Sequence, residues 1–300
     1  MLVTRIAPTP SGFLHEGNAV NALLTGWLAR SAGGRLLLRI DDFDTGRVRE
    51  EYLADVFDLL AWLGVAPDEG PSDPAEFERR WSMAGRTEEF RGAAHRLRAA
   101  HPEVVFACGC SRRDLVAGRC VRGCADRDLA LAPGHTVLRL RVATGTLVTA
   151  STSAPAAVRS PAVDGPPELG AHLAGAAAAP PAGHLAVPAG DHVLWRRDDL
   201  PAYQLGSVLA DEALGVTSLV RGEDLRDSTA LQLHLAALLP ARGFQRVDAR
   251  HHALLAGPDG HKLSKSAGAR AHPMPRTEAL RQQVHDWACE LGAAIGITEP

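Results

Sequence analysis

An apolar strand, a glycine-bearing loop, a helix and a second apolar strand open the chain, and this order leaves few folds available. Val3 to Ala7 is short and apolar and runs into Pro8, Pro10 and Gly12, the pattern of a strand entering a tight loop. From Asn18 to Ala32, Val20, Leu23, Leu24, Trp27 and Leu28 recur at helical spacing, with Asn18 placed as the N-cap. Gly33-Gly34 closes that helix, and Arg35 to Ile40 reads as a second strand. Strands joined through a helix run parallel, and parallel sheets are covered by helices on both faces. An α/β fold is expected, with ligand over the carboxyl ends of its strands.

Further along, Glu50 to Leu63 carries Leu53, Val56, Phe57 and Leu60 on one face and stops at Gly64, which predicts a helix. Phe77 to Ala100 predicts a helical stretch broken near Gly85 or Gly92. Residues 141–190 are rich in Ala, Pro, Gly and Ser, and part of this stretch reads as a loosely held connection, with strong pattern returning at His192 to Trp195. Helices are predicted over Leu205–Leu214, Ser228–Leu239 and within Arg276–Ala294, and strands over Val216–Val220 and His252–Leu255. No internal repeat is visible.

Three segments carry chemistry. In the first loop, Gly12 and Gly17 let backbone approach a ligand, and a helix starting just beyond offers its N–H groups to an anion. His15 stands where its ring would donate to a phosphate under attack. Alone, this is a glycine-rich loop with one surface histidine, and it matches neither Walker A nor the dinucleotide fingerprint. Far downstream, Gly257-Pro258-Asp259-Gly260 is a turn, followed by Lys262 and Lys265 with Ser264 and Ser266 beside them. Two ammonium groups among small hydroxyls suit a triphosphate; alone, they would be a solvated basic turn. Four of the five cysteines fall in Cys108-x-Cys110 and Cys120-x-x-x-Cys124. Two such corners suit tetrahedral zinc, and Arg112, Arg113, Arg119 and Arg122 among them would favour thiolates. Cys289 lies in a helical pattern and is expected to be buried.

No apolar run reaches membrane-spanning length, and the first residues lack the basic head and long apolar body of a signal peptide. A cytoplasmic location without a membrane partner is expected, where disulfides are disfavoured. The net charge of -3 gives no support to a strongly basic nucleic-acid binder.

Taken in order, these segments resemble the glutamyl-tRNA synthetase family of class I aminoacyl-tRNA synthetases. Arg5 to Asn18 is similar to the family's opening block and Gly34 to Asp44 to its next. Asp198 to Leu205 resembles the block with a substrate-binding tyrosine, Val220 to Thr229 the block with a carboxylate-binding arginine, and His261 to Ser266 the second ATP signature. The resemblance runs from Arg5 to about Ala269 and weakens over 141–190. It implies the Rossmann-like parallel sheet of a class I catalytic domain with a small zinc-containing insertion. It implies that Gly12, His15, Gly17, Asn18, Lys262, Ser264 and Lys265 handle ATP, with His15, Lys262 and Lys265 catalytic, and that Mg2+ accompanies the nucleotide. Arg5, Ala7, Thr9, Asp41, Tyr203 and Arg221 would hold the amino acid. Position 41 is usually glutamate in the family; aspartate draws the charge back by roughly 1.3–1.5 Å. The family's cysteine pattern carries a tyrosine where Cys120 stands, so Cys108, Cys110, Cys120 and Cys124 would form an all-sulfur, structural Zn2+ site.

Full-length members continue into a helical anticodon-binding domain, for which this chain is short. It resembles the family's short relatives, which activate glutamate to glutamyl-adenylate and attach it to the queuosine base of tRNA(Asp). A monomer is expected. Two other readings stand beside this one: an amino-acid ligase acting on a small molecule or carrier protein, and a non-catalytic synthetase-like binding subunit. The expected organisation is a first half of the catalytic domain at 1–100, a zinc-binding, acceptor-facing insertion with an Ala/Pro-rich connection at 101–190, a second half at 191–245, and the lysine-loop region with a C-terminal helix at 246–300.

Overall fold

The structure, a computed structural model, describes residues 1–43, 45–150, 181–255 and 272–300. The chain opens with strand β1 (Val3–Ile6), helix α1 (Glu16–Ser31) and strand β2 (Arg35–Leu38). β1 and β2 pair in parallel, Val3 opposite Arg35 and Ile6 opposite Leu38. Helix α2 (Glu50–Leu63) ends at Gly64, whose φ of 69° is left-handed and suits glycine. A single turn α3 (Pro74–Glu76), a π-helical turn (Phe77–Trp81) and a 3-10 turn (Ala84–Arg86) lead into α4 (Thr87–Ala100). The break in this stretch falls at Ser82–Met83, because buried Asp42 accepts from the Met83 N–H at 2.8 Å and from the Ser82 hydroxyl. Gly92 stays inside α4.

Strands β3 (Val105–Cys108), β4 (Leu115–Val116), β5 (Arg119–Cys120), β6 (Val137–Val142), β7 (Leu147–Thr149), β8 (His184–Ala186) and β9 (Gly190–Trp195) follow. β3, β6 and β9 form an antiparallel sheet in that order, while β4–β5 and β7–β8 are antiparallel pairs. The described ends of the stretch 141–190 carry strands, while residues 151–180 lie outside the described residues. A few apolar side chains suffice: Val142, Ala150, Leu185 and Val187 are all buried in the main core. Helix α5 (Tyr203–Ala213), β10 (Ser218–Gly222), α6 (Arg226–Leu238), β11 (Asp248–His252) and α7 (Glu278–Ala294) complete the described chain. The strand expected over His252–Leu255 instead ends at His252, where the parallel ladder with β10 runs out at Gly222.

The two parallel pairs abut. The Thr217 N–H donates to the Val3 carbonyl at 2.8 Å, and the Val3 N–H to the Thr217 hydroxyl at 2.9 Å. Side chains alternate across the strands. Ile6, Leu36, Leu38 and Val220 pack into the core of α1, α2 and α7. Val3, Leu37, Leu219 and Ala249 pack into the opposite core, shared with α4, α5 and α6. Arg5 and Arg221 share the parity of Val3 and Leu219, so both guanidiniums point toward α5 and α6, which sets up the site. Among the described residues no helix is long and apolar enough to cross a membrane.

Candidate active site

The loop between β1 and α1 is organised by His15. His15, not Asn18, is the N-cap of α1: its Nδ1 accepts from the Gly17 N–H at 3.1 Å, and its own N–H donates to Asn18 Oδ1 at 3.0 Å. Asn18 sits at the third helical position of a reciprocal capping box, so the cap lies three residues earlier in the chain than expected. A Cβ at residue 17 would stand 3.0 Å from the His15 ring, so glycine is what lets the imidazole cap the helix. With Nδ1 accepting, the ring proton resides on Nε2. The loop is held from behind by buried Asp55 of α2, which accepts the Leu14 N–H at 2.8 Å and pairs with Arg276 at 2.5 Å.

Behind the loop lies a buried charge cluster. Arg5 Nε donates to Asp211 Oδ1 of α5 at 3.1 Å, and Arg39 Nη1 donates to the same oxygen. Arg39 also grips Asp41 with two bonds, Nε to Oδ1 at 2.7 Å and Nη2 to Oδ2 at 2.9 Å. Burial opposes ionisation of Asp211, but Arg39, Arg5 and Arg221 together outweigh it and hold its carboxyl below the usual range. Burial likewise lowers Arg5, while Asp211 and Asp41 overcome it at Arg39 and raise that group. Arg5, Arg39, Asp41, Asp211 and Arg221 are each at most 5% exposed. Three guanidiniums against two carboxylates leave one positive charge over.

That surplus belongs to Arg221. Its Nη1 donates to Thr229 Oγ1 at 2.9 Å and to Gln232 Oε1 at 2.7 Å, both neutral acceptors on α6. Its Nε and Nη2 are buried and have no partner among the described residues. His251 of β11 closes the far side, with Nε2 2.9 Å from the Thr229 hydroxyl. Burial, then the charge of Arg221, pushes His251 down from 6.5 to about 4. A folded pKa below the unfolded one means that protonation favours the unfolded chain. The stability associated with neutral His251 is whole above about pH 6.5 and is lost as the pH falls toward 4. Thermal melts between pH 7 and pH 4 should show a shallower acid decline for His251→Gln than for the parent; identical slopes would contradict this.

Of these groups, Arg5, Arg39, Asp41 and Arg221 line one cavity of about 240 Å³ at the carboxyl ends of β1, β2, β10 and β11. Arg5, Ala7, His15, Gly17, Asn18, Asp41, Tyr203 and Arg221 all face it, drawn together from three distant stretches of sequence. Leu254 and Leu255, beyond the end of β11, form part of its wall. Gly12 and Thr9 stand outside its lining, Thr9 being exposed. Lys262, Ser264 and Lys265 lie outside the described residues. Asp211, Arg39, Asp55, Thr229, Gln232 and His251 are the members that the sequence analysis leaves unnamed.

The four cysteines form a second centre. Cys108 ends β3, Cys110 follows it, Cys120 ends β5 and Cys124 opens a 3-10 turn. All four are buried, and their sulfurs lie within 4.8 Å of one another. Cys110 Sγ is 3.6 Å from Cys120 Sγ and 3.8 Å from Cys124 Sγ. A tetrahedral zinc with bonds of about 2.3 Å spaces its sulfurs by about 3.8 Å, so the cluster fits the ion. Burial and the neighbouring thiols push Cys110 up to about 12. At Cys120 burial is outweighed by the Cys124 and Arg122 N–H groups, bringing it to about 7. The guanidiniums of Arg119 and Arg122 are engaged away from the sulfurs. Arg119 donates to the Val142 carbonyl at 3.0 Å and Arg122 pairs with Asp114 at 3.2 Å. Support comes instead from β6, where Arg139 donates to the Cys110 carbonyl at 3.3 Å and Arg141 holds Asp191, which accepts the Cys120 N–H at 2.7 Å. Metal analysis of the purified chain is expected to find zinc, and Cys110→Ser to lose it together with a large drop in melting temperature. A metal-free parent that melts identically with and without chelator would contradict the assignment. Cys289 is exposed rather than buried, because the inward stripe of α7 runs through Val284, Ala288 and Gly292.

Residues 1–97 and 179–293 match the family described as "tRNA synthetases class I (E and Q), catalytic domain". The cysteine segment falls between the two matched stretches. The chain is 37% identical over 273 residues to a glutamyl-Q tRNA(Asp) synthetase of Symbiobacterium thermophilum, covering 90% of this chain and 79% of that protein. It is 34% identical over 296 residues to the glutamyl-Q tRNA(Asp) synthetase of Rhodobacter capsulatus, covering 92% and 95%. Among solved structures, the glutamate-tRNA synthetase of Elizabethkingia anophelis aligns with a TM-score of 0.62 at 20% identity, over 90% of this chain and 54% of that one. The Mycobacterium tuberculosis methionyl-tRNA synthetase in complex with methionyl-adenylate aligns with a TM-score of 0.53 at 15% identity, over 96% and 64%. The fold shared with these structures is the α/β catalytic fold that the sequence leads one to expect.

Proposed function

Because this chain belongs to the family of class I tRNA synthetases for glutamate and glutamine (E and Q) and carries its catalytic domain, we propose that it activates glutamate with ATP and transfers it to the queuosine base of tRNA(Asp). The observation that carries the amino-acid half of this reading is that Arg221 lines the cavity while its buried Nε and Nη2 have no partner among the described residues. A planar fork of parallel donors is matched by a carboxylate, and burial makes an unsatisfied fork costly. The names of the relatives support the acceptor.

In this reading Arg221, with Arg5 as companion, holds the side-chain carboxylate, and Asp41 meets the ammonium group. Ala7 frames the substrate, and Tyr203 stands at the mouth. The α-carboxylate is itself the nucleophile: it attacks the α-phosphate of ATP, pyrophosphate leaves, and no protein base is required. Gly12, His15, Gly17 and Asn18 place donors and the start of α1 around the phosphates, while Lys262, Ser264 and Lys265 take the pyrophosphate. Mg2+ bound with ATP would offset phosphate charge. A hydroxyl of the modified base then attacks the mixed anhydride and AMP departs; both steps rest on positioning and charge. Zn2+ held by Cys108, Cys110, Cys120 and Cys124 would shape the insertion toward the acceptor. Incubation with labelled glutamate, ATP and tRNA(Asp) with or without queuosine tests the acceptor. Label should enter only the queuosine-bearing RNA; equal labelling of both, or of neither, would overturn this part.

A further inference from the structure

We propose that Gln232 and Thr229 are positioning residues that make the Arg221 pocket select a carboxylate over a carboxamide. The inference rests on glutamate being the amino acid activated. An arginine has five N–H donors in a fixed plane. Both protons of Nη1 are taken by Thr229 Oγ1 at 2.9 Å and Gln232 Oε1 at 2.7 Å. The guanidinium is thereby pinned in rotation, and the edge left over is the side-on pair Nε–H and Nη2–H, which has no partner among the described residues. That edge presents two parallel donors. A carboxylate satisfies both, whereas an amide satisfies one and sets its own NH2 against the other.

The chemistry of the two supports matters as much as their position. A carboxylate in place of the Gln232 amide would bond Nη1 equally well but neutralise Arg221, as Asp211 and Asp41 neutralise Arg5 and Arg39. Gln232 is fully buried, and its Nε2 has no partner among the described residues. The side chain therefore leaves an amide donor unsatisfied to present a neutral acceptor to Arg221. Arg221 offers only donors, so the orientation of the Gln232 amide is fixed by its partner. Thr229 can accept from Nη1 because its proton has acceptors in the Leu225 carbonyl at 3.1 Å and in His251 Nε2 at 2.9 Å. His251, neutral, adds no competing charge.

The test is ATP–pyrophosphate exchange by the full chain with glutamate and with glutamine, comparing the parent, Gln232→Glu, Thr229→Val and Thr229→Ser, each checked by its melting curve. Gln232→Glu is expected to raise KM for glutamate by about 10- to 100-fold, the worth of a charge-assisted bond, leave KM for ATP within twofold, and lower the glutamate-to-glutamine ratio of kcat/KM. Thr229→Val should shift KM for glutamate in the same direction, and Thr229→Ser, which keeps the hydroxyl, should restore it. If Gln232→Glu does not fold, the threonine pair decides. A parent that exchanges with glutamate, together with variants whose KM for glutamate and amino-acid ratio do not change, overturns the inference alone. A parent that exchanges with other amino acids, or none, and not with glutamate overturns it together with the proposed function.

Discussion

Asp211→Ala is expected to destabilise the folded chain by about 3–5 kcal/mol, the cost of removing one partner from a buried ion cluster. Its carboxylate is fully buried and serves Arg5 and Arg39 at once. Taking it away leaves Arg39 with Asp41, but leaves Arg5 charged, buried and without its carboxylate. Asp211→Asn keeps the shape and one acceptor and should lose less. The double change Asp211→Ala with Arg39→Met should cost less than the sum of its parts, because both groups belong to one network. Denaturant melts read all three. A loss below about 1 kcal/mol for Asp211→Ala, the level of an exposed pair, would show that the cluster is open to water and would remove the charge surplus from the account.

Arg221→Met is the second large expectation, and its effect lies in catalysis. If the free edge of Arg221 receives the substrate carboxylate, losing it should lower kcat/KM for glutamate by about 3–5 kcal/mol, or roughly 10²–10⁴-fold. Arg221→Lys keeps a charge but not the fork, so it should recover only part of that loss. Steady-state exchange kinetics on variants shown to be folded provide the check. An Arg221→Met protein within a factor of three of the parent would place the amino acid elsewhere in the cavity.

Resemblance to the family's blocks singled out Arg5, Asp41, Tyr203 and Arg221, and local pattern accounts for how some of them come to share one cavity. The period-two pattern of β1 and β10 puts Arg5 and Arg221 on one face, and the glycine of Gly-Asn after His15 marks the start of α1. Helix α2 spans Glu50–Leu63 as its apolar stripe predicts. Asp211 was harder to see, since its partners are 206 and 172 residues away in sequence. One local sign existed: Asp211 continues the spacing of Leu205 and Val208, so a carboxylate interrupts an inward-facing stripe. Asp55 is the same case on α2. Arg139 and Arg141 reach the cysteines only because β6 pairs between β3 and β9, a neighbourhood that spacing along the chain does not reveal. The cap of α1 was misplaced because histidine is not a usual capping residue; its Nδ1 acts here as the acceptor that a serine or aspartate oxygen normally provides.

The central claim, that the unpartnered edge of Arg221 holds the glutamate side chain so that the α-carboxylate meets ATP, is tested most directly by ATP–pyrophosphate exchange without tRNA across a panel of amino acids. Exchange with glutamate, weak or absent with glutamine and aspartate, and lost in Arg221→Met, is the predicted result. No exchange with glutamate, or exchange with glutamine at an equal rate, would contradict it.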